Sequence, residues 1–209
     1  DQPGAKVLFD LVASYGPDAQ TSRRVMSRAQ RRQFFTRELS WSIPSKSAVD
    51  EIVTFTRGQG ILEVGAGKGL WAALIQKSGG HAVPTTPWYQ ARTQSNGLRS
   101  YRSQSRTTFT DVSRLDAFQA IQNHPECNTL MMCWPSMDTP PPQQVLQAFQ
   151  GDQFIFVGEK HLDSEPGPDG LTFRQQLDKD WALTKAIRIP NWPGVYDAVY
   201  CYTRKSRRV

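Results

Sequence analysis

The sequence predicts an α/β fold built on a mostly parallel sheet, with helices on both faces and a C-terminal antiparallel hairpin. Three observations predict it. Short apolar runs alternate with segments of helical periodicity through five strands, the pattern of a sheet wound in one direction with crossover helices. The run Ile61-Leu62-Glu63-Val64 ends in a glycine-rich turn, Gly65-Ala66-Gly67-Lys68-Gly69, and Leu70, Trp71, Leu74 and Ile75 then recur at helical spacing. Leu183–Ile189 and Val195–Thr203 read as two strands joined by Pro190-Asn191-Trp192-Pro193-Gly194.

Taken in order, Val7, Leu8, Leu11 and Val12 fit a short helix before the turn Gly16-Pro17-Asp18. An arginine-dense segment follows, with Arg23, Arg24, Arg28, Arg31, Arg32 and Arg37. As a helix it places Arg24, Arg28, Arg31 and Arg32 on one face, which suits phosphate binding and equally suits a solvated surface. Pro44 ends that helix, because the residue before a proline is pushed to extended backbone. Ser45 or Ser47 then caps a helix carrying Ala48, Ile52, Val53 and Phe55. Beyond the glycine turn, His81–Pro84 reads as the second strand and Thr107–Thr110 as the third, ending at Asp111. Thr129–Trp134 is the fourth, stopped by Pro135, and Phe154–Val157 the fifth. Helices are expected around Leu115–Ile121, Val145–Phe149 and Phe173–Trp181. Residues 85–106 form a polar loop in which Arg92, Arg99, Arg102 and Arg106 alternate with Trp88, Tyr89 and Tyr101, a composition that suits nucleic acid or an ordinary surface loop.

With 209 residues, one domain can bury a full core. The net charge of +6 favours anionic partners, nucleic acid first, or is a solubilising surface. Cys127, Cys133 and Cys201 form no C-x-x-C pair, and His81, His124 and His161 show no ligand spacing. A zinc site is therefore not expected, and a reducing, cytoplasmic or nuclear compartment is. No apolar run is long enough to cross a membrane, and no signal peptide is read. The chain begins at Asp1, as an excised domain or a trimmed chain would.

The glycine turn carries the chemistry. Glycine lets backbone turn sharply and approach a ligand closely, and the following helix offers free N–H groups. A dinucleotide fingerprint needs its third glycine one residue later, and a P-loop needs Gly-Lys-Ser/Thr. The competing reading is a glycine turn with no ligand. E-x-G-x-G-x-G at Glu63–Gly69 resembles the first motif of class I S-adenosylmethionine (SAM)-dependent methyltransferases, over roughly residues 41–203. More narrowly, the chain resembles a poorly characterised methyltransferase-like family in five pieces. These are Trp41-Ser42-Ile43-Pro44-Ser45, the glycine motif with Trp71, Cys133-Trp134-Pro135, Val157-Gly158-Glu159 and Trp192-Pro193-Gly194.

The resemblance implies a seven-stranded Rossmann-like sheet and SAM as cofactor. It divides the chain into a basic helical extension at 1–40, the methyltransferase-like domain at 41–203 and a basic tail at 204–209. Glu63, Gly65, Ala66, Gly67 and Gly69 line the methionine and ribose part of the cofactor. Asp111 meets the adenine, or else caps a helix. The acid that the family carries after the second strand is replaced in Pro84-Thr85-Thr86-Pro87, where Thr85 offers only a neutral hydrogen bond. Cys133, Trp134 and Pro135 stand at the catalytic position, where amino-methylating relatives carry Asn/Asp-Pro-Pro-Tyr/Phe. Trp134 can stack on a planar substrate and Pro135 can shape the loop, whereas Cys133 is a poor acceptor for an amine. Cys133 and Trp134 are alternatively core residues. A 2′-hydroxyl methylating set of Lys46, Asp138 and Lys160 lacks its glutamate. The expected function is methylation of RNA or a nucleotide. The alternatives are a catalytically degenerate scaffold within a larger protein assembly, and a methyltransferase acting on a small molecule or a protein.

Overall fold

The computed structural model describes residues 3–19, 26–87, 108–135, 140–160 and 172–206. Seven helices and six strands lie among them. The helices are α1 (Pro3–Tyr15), α2 (Arg28–Glu38), α3 (Lys46–Thr56), α4 (Leu70–Lys77), α5 (Ala117–Asn123), α6 (Pro142–Ala148) and α7 (Phe173–Asp180). The strands are β1 (Gly60–Val64), β2 (Ala82–Thr85), β3 (Cys127–Cys133), β4 (Gln153–Glu159), β5 (Trp181–Arg188) and β6 (Asp197–Arg204). They form one sheet in the order β2-β1-β3-β4-β6-β5. The first four are parallel, and β6 runs antiparallel to both β4 and β5, which is the expected C-terminal hairpin.

Side-chain alternation along the strands assigns the two layers. Ile61, Met131 and Ile155 face one way and pack with Val12, Phe35, Ile52, Trp71 and Leu74 of α1–α4. Leu62, Leu130, Met132, Phe154 and Phe156 face the other way, against α5–α7 through Ala120, Leu146, Phe173 and Leu177. Successive residues of a strand point to opposite faces, so near-continuous apolar runs are what a sheet covered on both sides requires. The helices of the 1–40 segment add Phe35 and Leu39 to the same core as β1. Trp181, expected at the end of the last helix, is instead the first residue of β5.

The sheet has six strands among the described residues, not seven. Thr108–Thr110, the described part of the expected third strand, form no strand. Phe109 N–H donates to the Lys68 carbonyl, and the Thr110 hydroxyl donates to Gln76 Oε1 at 2.8 Å, so this stretch folds over the glycine turn and α4. Among the described residues a single parallel bridge, Thr85 with Ser113, stands on the side of β2 away from β1. It is held by Ser113 N–H to the Pro84 carbonyl and Thr86 N–H to the Ser113 carbonyl.

From β1 the chain moves outward to β2 and then crosses back to β3 on the other side of β1. The order therefore reverses between β1 and β3. Open α/β sheets bind ligands outside the carboxyl ends of their strands at such a reversal.

Candidate active site at the carboxyl edge

The glycine turn lies at this reversal, at the carboxyl end of β1. Gly65, Gly67 and Gly69 have φ of 71°, 57° and 74°, a region costly for residues with a Cβ. The three differ in surroundings. A Cβ on Gly69 meets Val112 Cγ2 at 2.9 Å and Thr110 Cγ2 at 3.1 Å, so this glycine lets the 110–112 segment close on the turn. A Cβ on Gly65 or Gly67 meets no described atom within 4 Å. Among the described residues those two glycines therefore border open space, as a backbone cradle for a ligand does. Among the described residues the Gly67 and Lys68 N–H groups have no backbone acceptor.

Glu63 points into the fold, where it is 1% exposed, and accepts a hydrogen bond from Ala72 N–H at 3.1 Å. Its role is local: Gly69, the N-cap of α4, has no side chain to satisfy the first turn, and Glu63 supplies the missing acceptor. Burial raises the Glu63 carboxyl to about 8, against the lowering effect of that hydrogen bond. Thr85 is fully buried, and its hydroxyl donates to the Glu63 carbonyl at 3.2 Å. Ala66 N–H donates to the Thr85 carbonyl. Thr85 thus braces the turn from beneath. Asp111 is exposed beside Val112, on the segment packed against Gly69, and the cap of α5 is Asp116 instead.

Lys68, inside the turn, pairs with Glu38 at 2.6 Å, and Glu38 also takes Arg37 at 2.9 Å. The C-terminus of α2 is tied to the glycine turn by this pair, whose Lys68 and Glu38 side chains are mostly buried. The basic face expected on α2 is rearranged. Arg31 is buried, donating to the carbonyls of Ala19 at 2.9 Å and Gly16 at 3.5 Å, so it locks α1 to α2. Arg24 lies outside the described residues, as do Arg23, the 88–107 loop with its arginines, Asp138 and Glu165. Lys46 pairs with Asp50.

The second half of the edge is the end of β3. Cys133 is half-buried; burial pushes its thiol up to about 12, and nearby Glu63 adds to the effect, so it stays protonated. Trp134 adopts φ 46°, unusual for an aromatic residue. Its N–H donates to the Val157 carbonyl at 2.9 Å and its indole Nε1 donates to Asp197 Oδ2 at 2.9 Å. The ring lies 6.1 Å from that of Trp41. A Cβ on Gly158 stands 3.1 Å from Phe156 Cζ and only in ordinary contact with the indole, so this glycine makes room for the Phe156 ring.

Asp197 is 4% exposed. Oδ2 also accepts from the Ser42 hydroxyl at 2.8 Å, while Oδ1 is buried without a partner among the described residues. Burial raises its carboxyl above the usual range, opposed by the bonds from Trp134 and Ser42. Asn191 clasps the Asp197 backbone on both sides, donating to its carbonyl at 3.0 Å and accepting from its N–H at 2.9 Å. Asp197, Ser42 and Asn191 are functional candidates that sequence reasoning missed. The available signal was an acid opening an otherwise apolar final strand. Ser45 caps α3, accepting from Ala48 N–H, as one of the sequence readings has it.

All five sequence pieces therefore meet at one edge, although Ser42 and Asp197 stand 155 residues apart.

No family model matches the chain. No curated protein matches it.

Several solved structures are similar in outline. Magnesium protoporphyrin IX methyltransferase from Synechocystis PCC 6803 with bound SAM is 11% identical, over 95% of this chain and 97% of that one, with a TM-score of 0.47. A protein of the NADB-Rossmann superfamily from Streptococcus agalactiae is 11% identical over 80% and 72%, also at 0.47. An RNA methyltransferase from Salinibacter ruber in complex with S-adenosyl-L-homocysteine is 12% identical over 79% and 95%, at 0.43. The chain spans 49% of a further similar structure, from Streptococcus mutans. Likenesses this distant establish no shared activity, substrate or ligand.

Proposed function

We propose that this protein transfers a methyl group from SAM to RNA or a nucleotide at the carboxyl edge of its sheet. The observation that carries the reading is the convergence there of the open Gly65–Gly67 cradle with Trp134, Asp197 and Ser42. The cradle fits the cofactor, because a Cβ on either of its two glycines meets no described atom within 4 Å and the Gly67 and Lys68 N–H groups have no backbone acceptor among the described residues, leaving them for polar ligand atoms.

In this reading Gly65, Ala66 and Gly67 hold the methionine and ribose part, and Asp111 takes the adenine. Gly69 keeps the 110–112 segment against the turn. Glu63 and Thr85 act from beneath, fixing the start of α4 and the end of β1. SAM supplies an activated methyl group when bound. The residues of the chain then have mainly to align a nucleophile with it, and alignment supplies much of the rate. Trp134 offers a ring on which a planar base stacks, held in place by Asp197. Pro135 shapes the loop that follows. Cys133, a neutral thiol, forms part of the wall and takes no proton. Residues 41–203 are the catalytic unit in this reading, the 1–40 segment an accessory layer, and 204–209 a basic tail.

A second reading, a degenerate scaffold, is favoured by one observation. No acid stands in residues 82–87 after β1's neighbour β2, and the hydroxyl of Thr85 is already engaged. Transfer of labelled methyl from SAM to RNA separates the two. Incorporation by the wild type that is lost in Trp134→Ala supports the enzyme; SAM binding without any incorporation supports the scaffold.

A further inference from the structure

We infer that the cleft between α2 and the two tryptophans Trp41 and Trp192 is a binding site for single-stranded RNA, leading the strand to Trp134. The inference rests on the methyltransferase reading for its purpose but not for its chemistry.

The cleft has a volume of about 680 Å³ and is lined by Arg28, Arg32, Gln33, Thr36, Trp41 and Trp192, among others, none of them acidic. Arg28 and Arg32 are one helical turn apart on α2 and exposed, and neither guanidinium forms an ion pair or hydrogen bond with a described residue. They differ in this from Arg31 and Arg37 on the same helix, both of which are engaged. The nearest acid on α2, Glu38, is held by Lys68 and Arg37. Two guanidinium groups that are unpaired among the described residues, in a cleft with no described carboxylate in its lining, suit successive phosphates of a strand.

The aromatic half is equally specific. Trp41 is 49% exposed, an unusual position for so large an apolar surface. Trp192 is almost wholly buried, edge-on to Phe35 at 5.9 Å, and forms a fixed floor. Trp41 leans at 34° to Trp134, so aromatic surface runs without a break from the cleft to the end of β3. Arg32 is near enough to Asp197 to favour its ionised form, which places the cleft beside the same cluster. Phosphates at Arg28 and Arg32 and bases at Trp41 and Trp134 follow from this arrangement. Unpaired bases can splay onto such rings, whereas a duplex keeps its bases stacked inside.

The test uses the full chain, a fluorescent twelve-nucleotide single-stranded RNA and a duplex of the same sequence, titrated over a series of salt concentrations. The wild type is expected to bind the single strand in preference to the duplex. Arg28→Ala/Arg32→Ala is expected to lower the slope of log affinity against log salt by about 1.4, at about 0.7 per phosphate contact. Trp41→Ala is expected to weaken binding about tenfold while leaving that slope unchanged, because stacking is not a counterion effect. Circular dichroism of each variant controls for folding, and neither substitution removes core packing. Equal affinity for duplex, or wild-type affinity and slope in both variants, overturns the cleft. Calorimetry with SAM keeps the two readings apart: SAM binding with no RNA binding removes the cleft alone, and the predicted RNA pattern with no SAM binding leaves the cleft standing and removes the cofactor.

Discussion

The two halves of the carboxyl edge are built in different ways. At the end of β1 the site is backbone: two glycines at positive φ border open space, a third admits Thr110 and Val112, and an acid caps the helix behind. At the end of β3 it is side chain. Trp134 sits at φ 46°, anchored by an aspartate 63 residues away that also holds Ser42. The first half tolerates no Cβ at its tightest point, and the second depends on one buried carboxylate. Local geometry governs the one, tertiary contact the other.

Six substitutions break or sharpen this contrast. The largest expected effect is in the first half, through Glu63. Its carboxyl binds a proton more tightly folded than unfolded, so stability is fullest below the ordinary value of 4.5 and falls as pH rises toward about 8. At about 1.4 kcal/mol per unit the whole change is about 5 kcal/mol at most. Glu63→Gln keeps an acceptor for Ala72 N–H and loses that slope. Urea unfolding of both proteins at pH 5 and pH 8 checks it, and parallel behaviour counts against the buried acid.

Next comes Gly69→Val, which combines strain at φ 74° with a clash against Val112 and Thr110. It is expected to cost about 3 kcal/mol, lowering the melting temperature by about 10 °C. Gly67→Val, strained but facing open space, costs about 1–2 kcal/mol. Similar melting temperatures for the two variants are incompatible with the division between packing glycine and cradle glycine.

In the second half, Asp197→Ala strands the Ser42 hydroxyl and the Trp134 indole N–H, at a cost of about 2–3 kcal/mol. Asp197→Asn keeps an acceptor and removes a buried charge, and changes stability by less than about 1 kcal/mol. Equal destabilisation by both variants in urea shows that the carboxylate charge matters more than its hydrogen bonds. Ser42→Ala costs about 1 kcal/mol, because Trp134 still holds Oδ2.

The same contrast explains what the sequence made legible. The parallel strands, the two helical layers and the hairpin follow from periodicity, and the turn from glycine spacing, since both are local signals. The strand expected at Thr107–Thr110 has the right composition for a strand. Yet Phe109 and Thr110 bond to Lys68 and Gln76 across the turn, and tertiary contact overrides propensity there. Arg31 looked like its neighbours, and only the approach of α1 makes it a buried lock. The Asp197 cluster unites residues from the start, middle and end of the chain, and no spacing rule finds it.

The central claim is that the Gly65–Gly67 cradle holds SAM. Isothermal titration calorimetry of the wild type and of Gly67→Val, with SAM and with its demethylated product, tests it most directly. Binding of both ligands by the wild type, and its loss in a variant that still melts cooperatively, is the expected result. No heat and no thermal shift in the wild type at millimolar ligand, or undiminished binding by Gly67→Val, contradicts the claim.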